Sequence, residues 1–222
     1  MIDTVILTLL RDKATMLDLI GKGVPKWDLQ ARTNTYEKHV KNASSKDEES
    51  GLYFPRLTGI SRADGKLAWQ KTIKIEFSAP KLLYQNNLEE VRDSDFERVV
   101  DTLDDRLKQL GVAFPIDALR NAPVSVVNYS KNIELTDGYT AQYVISELGK
   151  INANKRFDLT RTRFMNDGQS LYLYTATHSF TIYDKVADLA KDKKRAIDKD
   201  QTPYQTSLFE ELKREKEILR LE

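Results

Sequence analysis

Apolar and polar positions alternate in short, uneven blocks along this chain. Residues 2–10 are aliphatic and β-branched, which predicts a buried strand. Residues 52–60 and 66–79 predict two strands around the turn Arg62-Ala63-Asp64-Gly65, since Asp-Gly favours a hairpin. In the second of these, Ile73, Ile75 and Phe77 alternate with Lys74, Glu76 and Ser78, so one face is buried and one wet. Ser94 to Leu110 predicts a helix. Ser94 and Glu97 have capping-box spacing, Phe96, Val99, Val100, Leu103, Leu107 and Leu110 repeat at helical spacing, and Gly111 supplies the stop. Residues 123–129 predict a strand, and Thr140 to Leu148 a second helix ended by Gly149. Residues 170–174 and 178–184 predict a hairpin turning near Thr175-Ala176-Thr177. The charged stretch 185–200 and residues 205–216 predict helices, and 218–222 begins a strand. Residues 21–51 are polar and predict an exposed loop excursion with at most one short strand.

This spacing lacks the regular strand–helix alternation of a doubly wound sheet. It predicts an α+β domain over 1–222, with a mainly antiparallel central sheet of about five strands covered by helices. Because the chain stops inside an apparent strand, the sequence is expected to be a domain cut from a longer protein. The apolar start lacks a basic segment before it and a cleavage site after it, so it is expected to be a strand, not a leader. No stretch approaches the roughly 20 apolar residues that a membrane-spanning helix needs.

Composition narrows the chemistry. Of 222 residues, 40% are hydrophobic and 31% charged, as in a soluble domain with a real core. The net charge of +1 means that any nucleic-acid contact must come from local clusters. With no Cys there is no disulfide, thiolate zinc site or Cys nucleophile. His39 and His178 are the only histidines, which excludes a multi-histidine site within one chain. Walker A, Gly-x-Gly-x-x-Gly, Gly-x-Ser-x-Gly and His-Glu-x-x-His sequences are all missing.

The most informative segment is Thr177-His178-Ser179-Phe180-Thr181-Ile182-Tyr183-Asp184-Lys185. On a strand, Ser179, Thr181 and Tyr183 point one way, and Lys185 joins them if the strand persists. A phenol of pKa about 10 is a poor nucleophile at neutral pH, and a nearby ammonium favours its phenolate and can contact a phosphate. The same pattern also describes an ordinary strand tyrosine followed by a surface lysine. Asn128, in Val126-Val127-Asn128-Tyr129, is either a satisfied core amide or a residue aimed into a site. Taken alone, His178 reads as a structural or surface histidine before it reads as a ligand, and Glu222 as a charge on an edge strand. Lys150, Lys155, Arg156, Arg161 and Arg163 share a stretch whose one acid is Asp158, which suits phosphate contact or a solvated loop.

Several segments in order resemble gene-II-type replication proteins of filamentous phages, which initiate rolling-circle replication. They are Met1-Ile2-Asp3, Glu76-Phe77-Ser78-Ala79-Pro80-Lys81 through Asn87, Arg120-Asn121-Ala122-Pro123-Val124-Ser125, Tyr129-Ser130-Lys131-Asn132, Tyr183-Asp184-Lys185 and Leu219-Arg220-Leu221-Glu222. The resemblance covers nearly the whole chain and corresponds to the family's N-terminal catalytic part. It implies a fold like that of rolling-circle initiators and relaxases. It also implies site-specific nicking and strand transfer through a covalent 5′-phosphotyrosine, with Tyr183 as nucleophile and Lys185 beside it. Mg²⁺ or Mn²⁺ would be held by Glu222, Asn128 and His178, and Lys81 joins the DNA-contacting residues. The implied partner is phage or plasmid origin DNA, with the host's replication helicase and polymerase, in the bacterial cytoplasm. The sequence departs from better-known relatives in lacking a His-hydrophobe-His motif, since Phe180 stands where a second His is needed. An origin-binding domain without catalysis, on the same scaffold, is the alternative.

Overall fold

The computed structural model describes residues 2–17, 26–43, 51–63, 68–151, 157, 158, 160–165, 167–189 and 217–222. The chain divides into two compact units, residues 1–128 and 129–222. Among the described residues, no helix is long and apolar enough to cross a membrane.

The first unit is built on a mainly antiparallel six-stranded sheet. Its strands are β1 (Ile2–Leu10), β3 (Asp28–Arg32), β4 (Tyr36–Lys41), β5 (Arg56–Ala63), β6 (Trp69–Ser78) and β8 (Val124–Tyr129), in the order β3-β4-β5-β6-β1-β8. A small ladder of β2 (Thr15–Met16) and β7 (Val112–Ala113) sits apart from it. The alternation in β6 works as its sequence predicts. Phe77 lies opposite Val5, and Ile75 lies between Leu7 and Leu57. Ile73, Ile75 and Phe77 are buried on that face. Helices α1 (Ala79–Tyr84), α2 (Phe96–Gln109) and α3 (Ile116–Arg120) complete the unit. Helix α2 contributes Val100, Leu103 and Leu107 to the core, each worth roughly 1.5–3 kcal/mol of burial.

The start of α2 differs from the expected Ser94–Glu97 box. Ser94 lies in a 3-10 turn, and the Asp95 carboxylate accepts from the Arg92 backbone N–H (3.0 Å), the Tyr84 hydroxyl (3.0 Å) and Arg98 Nη1 (2.7 Å). Residues 21–51 also differ from the expected loop: β3 and β4 pair there as an antiparallel extension of the sheet. Charged and polar side chains hid these strands, because β3 is exposed throughout and β4 is only half buried. The ladder between them slips between Leu29 and Ala31, a bulge at the sheet edge.

The second unit has its own five-stranded antiparallel sheet. It comprises β9 (Lys131–Leu135), β10 (Arg163–Met165), β11 (Ser170–Tyr174), β12 (Ser179–Asp184) and β13 (Glu217–Leu221), in the order β10-β11-β12-β13-β9. Apart from the β2–β7 ladder, the described strands thus form two sheets where the sequence pattern suggested one central sheet of about five strands. Helix α4 (Ala141–Gly149) packs Ala141 and Ile145 against Leu171 and Leu219, with Ile182 and Leu173 at the margin. The Thr140 hydroxyl caps α4 by accepting from the Tyr143 N–H at 3.2 Å. Helix α5 (Lys185–Leu189) follows β12 directly. The Asp64-Gly65 turn and the predicted helix at 205–216 lie outside the described residues.

Candidate functional site

The second unit's register decides which side chains meet Tyr183. Ser170 lies opposite Tyr183, Tyr183 opposite Arg220, and Arg220 opposite Asn132. Directly opposed residues in neighbouring strands point to the same face, so these four form one row across β11, β12, β13 and β9. Their neighbours Leu171, Ile182 and Leu219 carry the core under α4, so the row occupies the other face of the sheet. Glu222 exchanges backbone hydrogen bonds of 2.8 Å with Thr181, which puts it on the Tyr183 face one row along.

Two cations flank the tyrosine. The strand ends at Asp184, whose Oδ1 accepts from the Ala187 N–H at 2.8 Å and so opens α5. Lys185, the first residue of that helix, is 2% exposed. Its Nζ sits 5.8 Å from the centre of the Tyr183 ring and 3.9 Å from Asp188 Oδ2. The alternative of a surface lysine at this position is therefore overturned. Arg220 is fully buried; its Nη1 donates to Asn132 Oδ1 at 3.2 Å and its Nη2 lies 3.9 Å from Glu222 Oε1. A charge is retained in a buried position only where ion pairs, hydrogen bonds or a ring face replace water. Here those partners include Asp188, the Tyr183 ring, Asn132 and Glu222. A negative charge developing on Tyr183, or on a phosphate beside it, would lie near two cations whose charge Asp188 and Glu222 partly offset.

The remaining expected residues fall elsewhere. His178 lies in the β11–β12 turn, exposed, with its carbonyl accepting from Thr175 N–H and its Nδ1 2.7 Å from the Thr177 hydroxyl. It precedes Tyr183 by five residues, about 16 Å along an extended strand and on the opposite side of the alternation. It is not brought to Tyr183. Asn128 belongs to the first unit and is exposed, which removes the reading as a core amide. Among the described residues, no three His, Asp or Glu side chains are gathered to hold a metal ion. Among the described residues, the groups around Tyr183 include two cations, two carboxylates that pair with them, an amide and the Ser170 hydroxyl. That set, with its carboxylates paired to cations, does not fit a divalent cation, so no step below is routed through a metal.

Of the basic residues expected to contact phosphate, Lys155 and Arg156 lie outside the described residues. Lys150 follows α4 and is engaged by Glu147, which holds its ammonium above the usual lysine range. Arg161 stacks its guanidinium 4.6 Å from the Tyr174 ring centre, and Arg163 is exposed on β10. Lys81 belongs to the first unit, its Nζ 5.8 Å from the Tyr53 ring. The residues that sequence reasoning left out of the site are Arg220, Asn132 and Ser170. A signal for Arg220 was present: an arginine in the middle of Ile218-Leu219-Arg220-Leu221 breaks an apolar run, and a cation there must find partners.

Comparison of the chain with protein-family models, with curated proteins and with solved structures finds no match.

Proposed function

We propose that this chain is a tyrosine-dependent DNA nickase and strand transferase of rolling-circle type, with Tyr183 as its nucleophile. The observation that carries the reading is that Tyr183 has the Lys185 ammonium 5.8 Å from its ring centre and Arg220 opposite it on β13. In the reaction, Tyr183 Oη attacks the scissile phosphorus and a P–O bond forms. The bond to the 3′ oxygen breaks, and that oxygen leaves as a hydroxyl after taking a proton. The 5′ phosphate stays on the tyrosine as an ester, so attack by a later 3′ hydroxyl reseals a strand without an external energy source. Lys185 would favour the phenolate, and Lys185 and Arg220 together would offset charge accumulating on the phosphate oxygens. Arg220, locked against Asn132, acts as a preorganised group that needs no reorientation during attack.

The test is adduct capture. The protein is incubated with single-stranded oligonucleotides carrying a randomised centre, denatured in detergent, and the DNA that remains covalently attached is sequenced. Tyr183→Phe should reduce adducts by at least 100-fold, while Tyr172→Phe, on the neighbouring strand β11 one row along, should keep them. Equal adduct formation by Tyr183→Phe and the natural chain would remove Tyr183 from the chemistry. Specific binding with no adduct in either protein would favour an origin-binding domain without catalysis.

A further inference from the structure

A cleft of about 530 Å³ lies in the first unit, where the helix-covered face of the six-stranded sheet continues towards the ends of β4, β5 and β6. Both tryptophans of the protein, Trp27 and Trp69, line it. Gly59 leaves its floor bare. Trp27 lies over that position, its ring 3.6 Å from where a Cβ would stand. Trp69 is 42% exposed.

The register arranges the lining in an order. Gly59, under Trp27, lies opposite Ile73. Two residues along β6 on the same face comes Lys71, opposite Ser61. Leu10 lies opposite Thr72, so Arg11 emerges from β1 beside Lys71. Two residues further comes Trp69. The sequence across the cleft is therefore ring, cations, ring. The two aromatic anchor points are four residues apart, about 13 Å along the strand direction. The carboxylate of Glu37 at the rim is already held by Arg32 Nε at 2.8 Å and lies 3.6 Å from His39 Nε2.

We infer that this cleft binds single-stranded nucleic acid, with bases stacking on Trp27 and Trp69 and the intervening phosphates held by Lys71 and Arg11. Alternation of flat apolar rings with cations matches the alternation of bases with phosphates. The separation of the rings favours a chain over a single nucleotide, which would reach only one of them. An open groove walled by exposed Trp69 and Lys71 also suits a strand that runs through it. The inference goes beyond the Tyr183 chemistry and does not rest on it.

The two tryptophans make the test direct, because all indole emission comes from this cleft. The full chain is titrated with a 12-nucleotide oligo-dT, thymidine monophosphate, a duplex of mixed sequence, an inorganic polyphosphate and a Glu-Tyr copolymer. Expected is saturable quenching by oligo-dT, with much weaker binding of the monophosphate and no quenching by polyphosphate. Trp69→Ala should weaken oligo-dT binding about tenfold, the scale of one stacked base. Lys71→Ala should weaken it and lower the slope of log affinity against log salt by about 0.7, one phosphate contact on a single strand. Circular dichroism on both variants verifies that the sheet is intact. Unchanged affinity in Trp69→Ala, equal binding of the monophosphate, or equal quenching by the duplex or the copolymer would each overturn the inference.

Discussion

Single residues in this chain are explained by what stands next to them more than by their own propensities. Gly149 is an example. Its place at the end of a helical pattern suggests a left-handed stop, and such a stop does occur at Gly111, where φ is +83°. Gly149, however, is not among the residues with positive φ, and α4 includes it. A Cβ there would fall 2.1 Å from Phe164 Cζ, so the requirement is space. Alanine normally stabilises a helix over glycine by about 1 kcal/mol. Gly149→Ala should instead lower the urea midpoint of the natural chain, and should raise it when Phe164→Ala is also present. A double-mutant cycle reads this sign change directly. Arg220 teaches the same lesson. Its sequence position shows that a cation sits in an apolar strand, but only strand pairing reveals that its partner is Asn132, 88 residues away.

At the scale of elements, the strongly periodic segments were legible and the polar ones were not. Strands β1, β6, β11 and β12 and helices α2 and α4 follow from local alternation, because each buries one face. Strands β3, β4 and β10 carry charged or exposed side chains, and their existence depends on a neighbour's backbone rather than on burial. The β10–β11 turn does carry a sequence signal, Asp167-Gly168, with φ of +55° and +83°; this pair favours the tight turn of a hairpin. Asp95 decides where α2 begins, and its effect can be measured by pH. Its carboxyl is held below the usual range, first by the backbone hydrogen bond from Arg92 and next by the Tyr84 hydroxyl, with burial opposing. A depressed folded-state pKa gives stability that is present above the unfolded value, about 3.9, and is lost as pH falls through the folded value. Asp95→Asn should therefore lower the urea midpoint at pH 7, and the two proteins should converge as pH falls below the unfolded value and through the folded one. A constant difference across that range would assign the effect to something other than this carboxylate.

At the scale of the whole molecule, the chain holds two cores of unequal size. The first gathers residues from β1, β5, β6 and the helices, whereas the second is centred on Ala141, Ile145, Leu171 and Leu219. Sequence spacing alone merged their strands into one sheet, since nothing local tells a strand which sheet will accept it. Ile145→Ala should cost about 2–5 kcal/mol. Because both tryptophans belong to the first unit, tryptophan emission should keep its unfolding midpoint in this variant while part of the circular dichroism signal is lost earlier. A common shift of both signals would mean that the units unfold as one. The bulge in β3 bears on how copies of the protein behave towards each other in concentrated solution. An edge strand offers its unpaired amides to any other strand, and irregular pairing together with charged side chains discourages that addition. Asp28 and Arg32 bracket the slip between Leu29 and Ala31. Replacing both with valine should produce concentration-dependent sedimentation of otherwise folded protein. The irregularity at the sheet's margin thus works as colloidal insurance, keeping a long exposed ladder from recruiting its own kind.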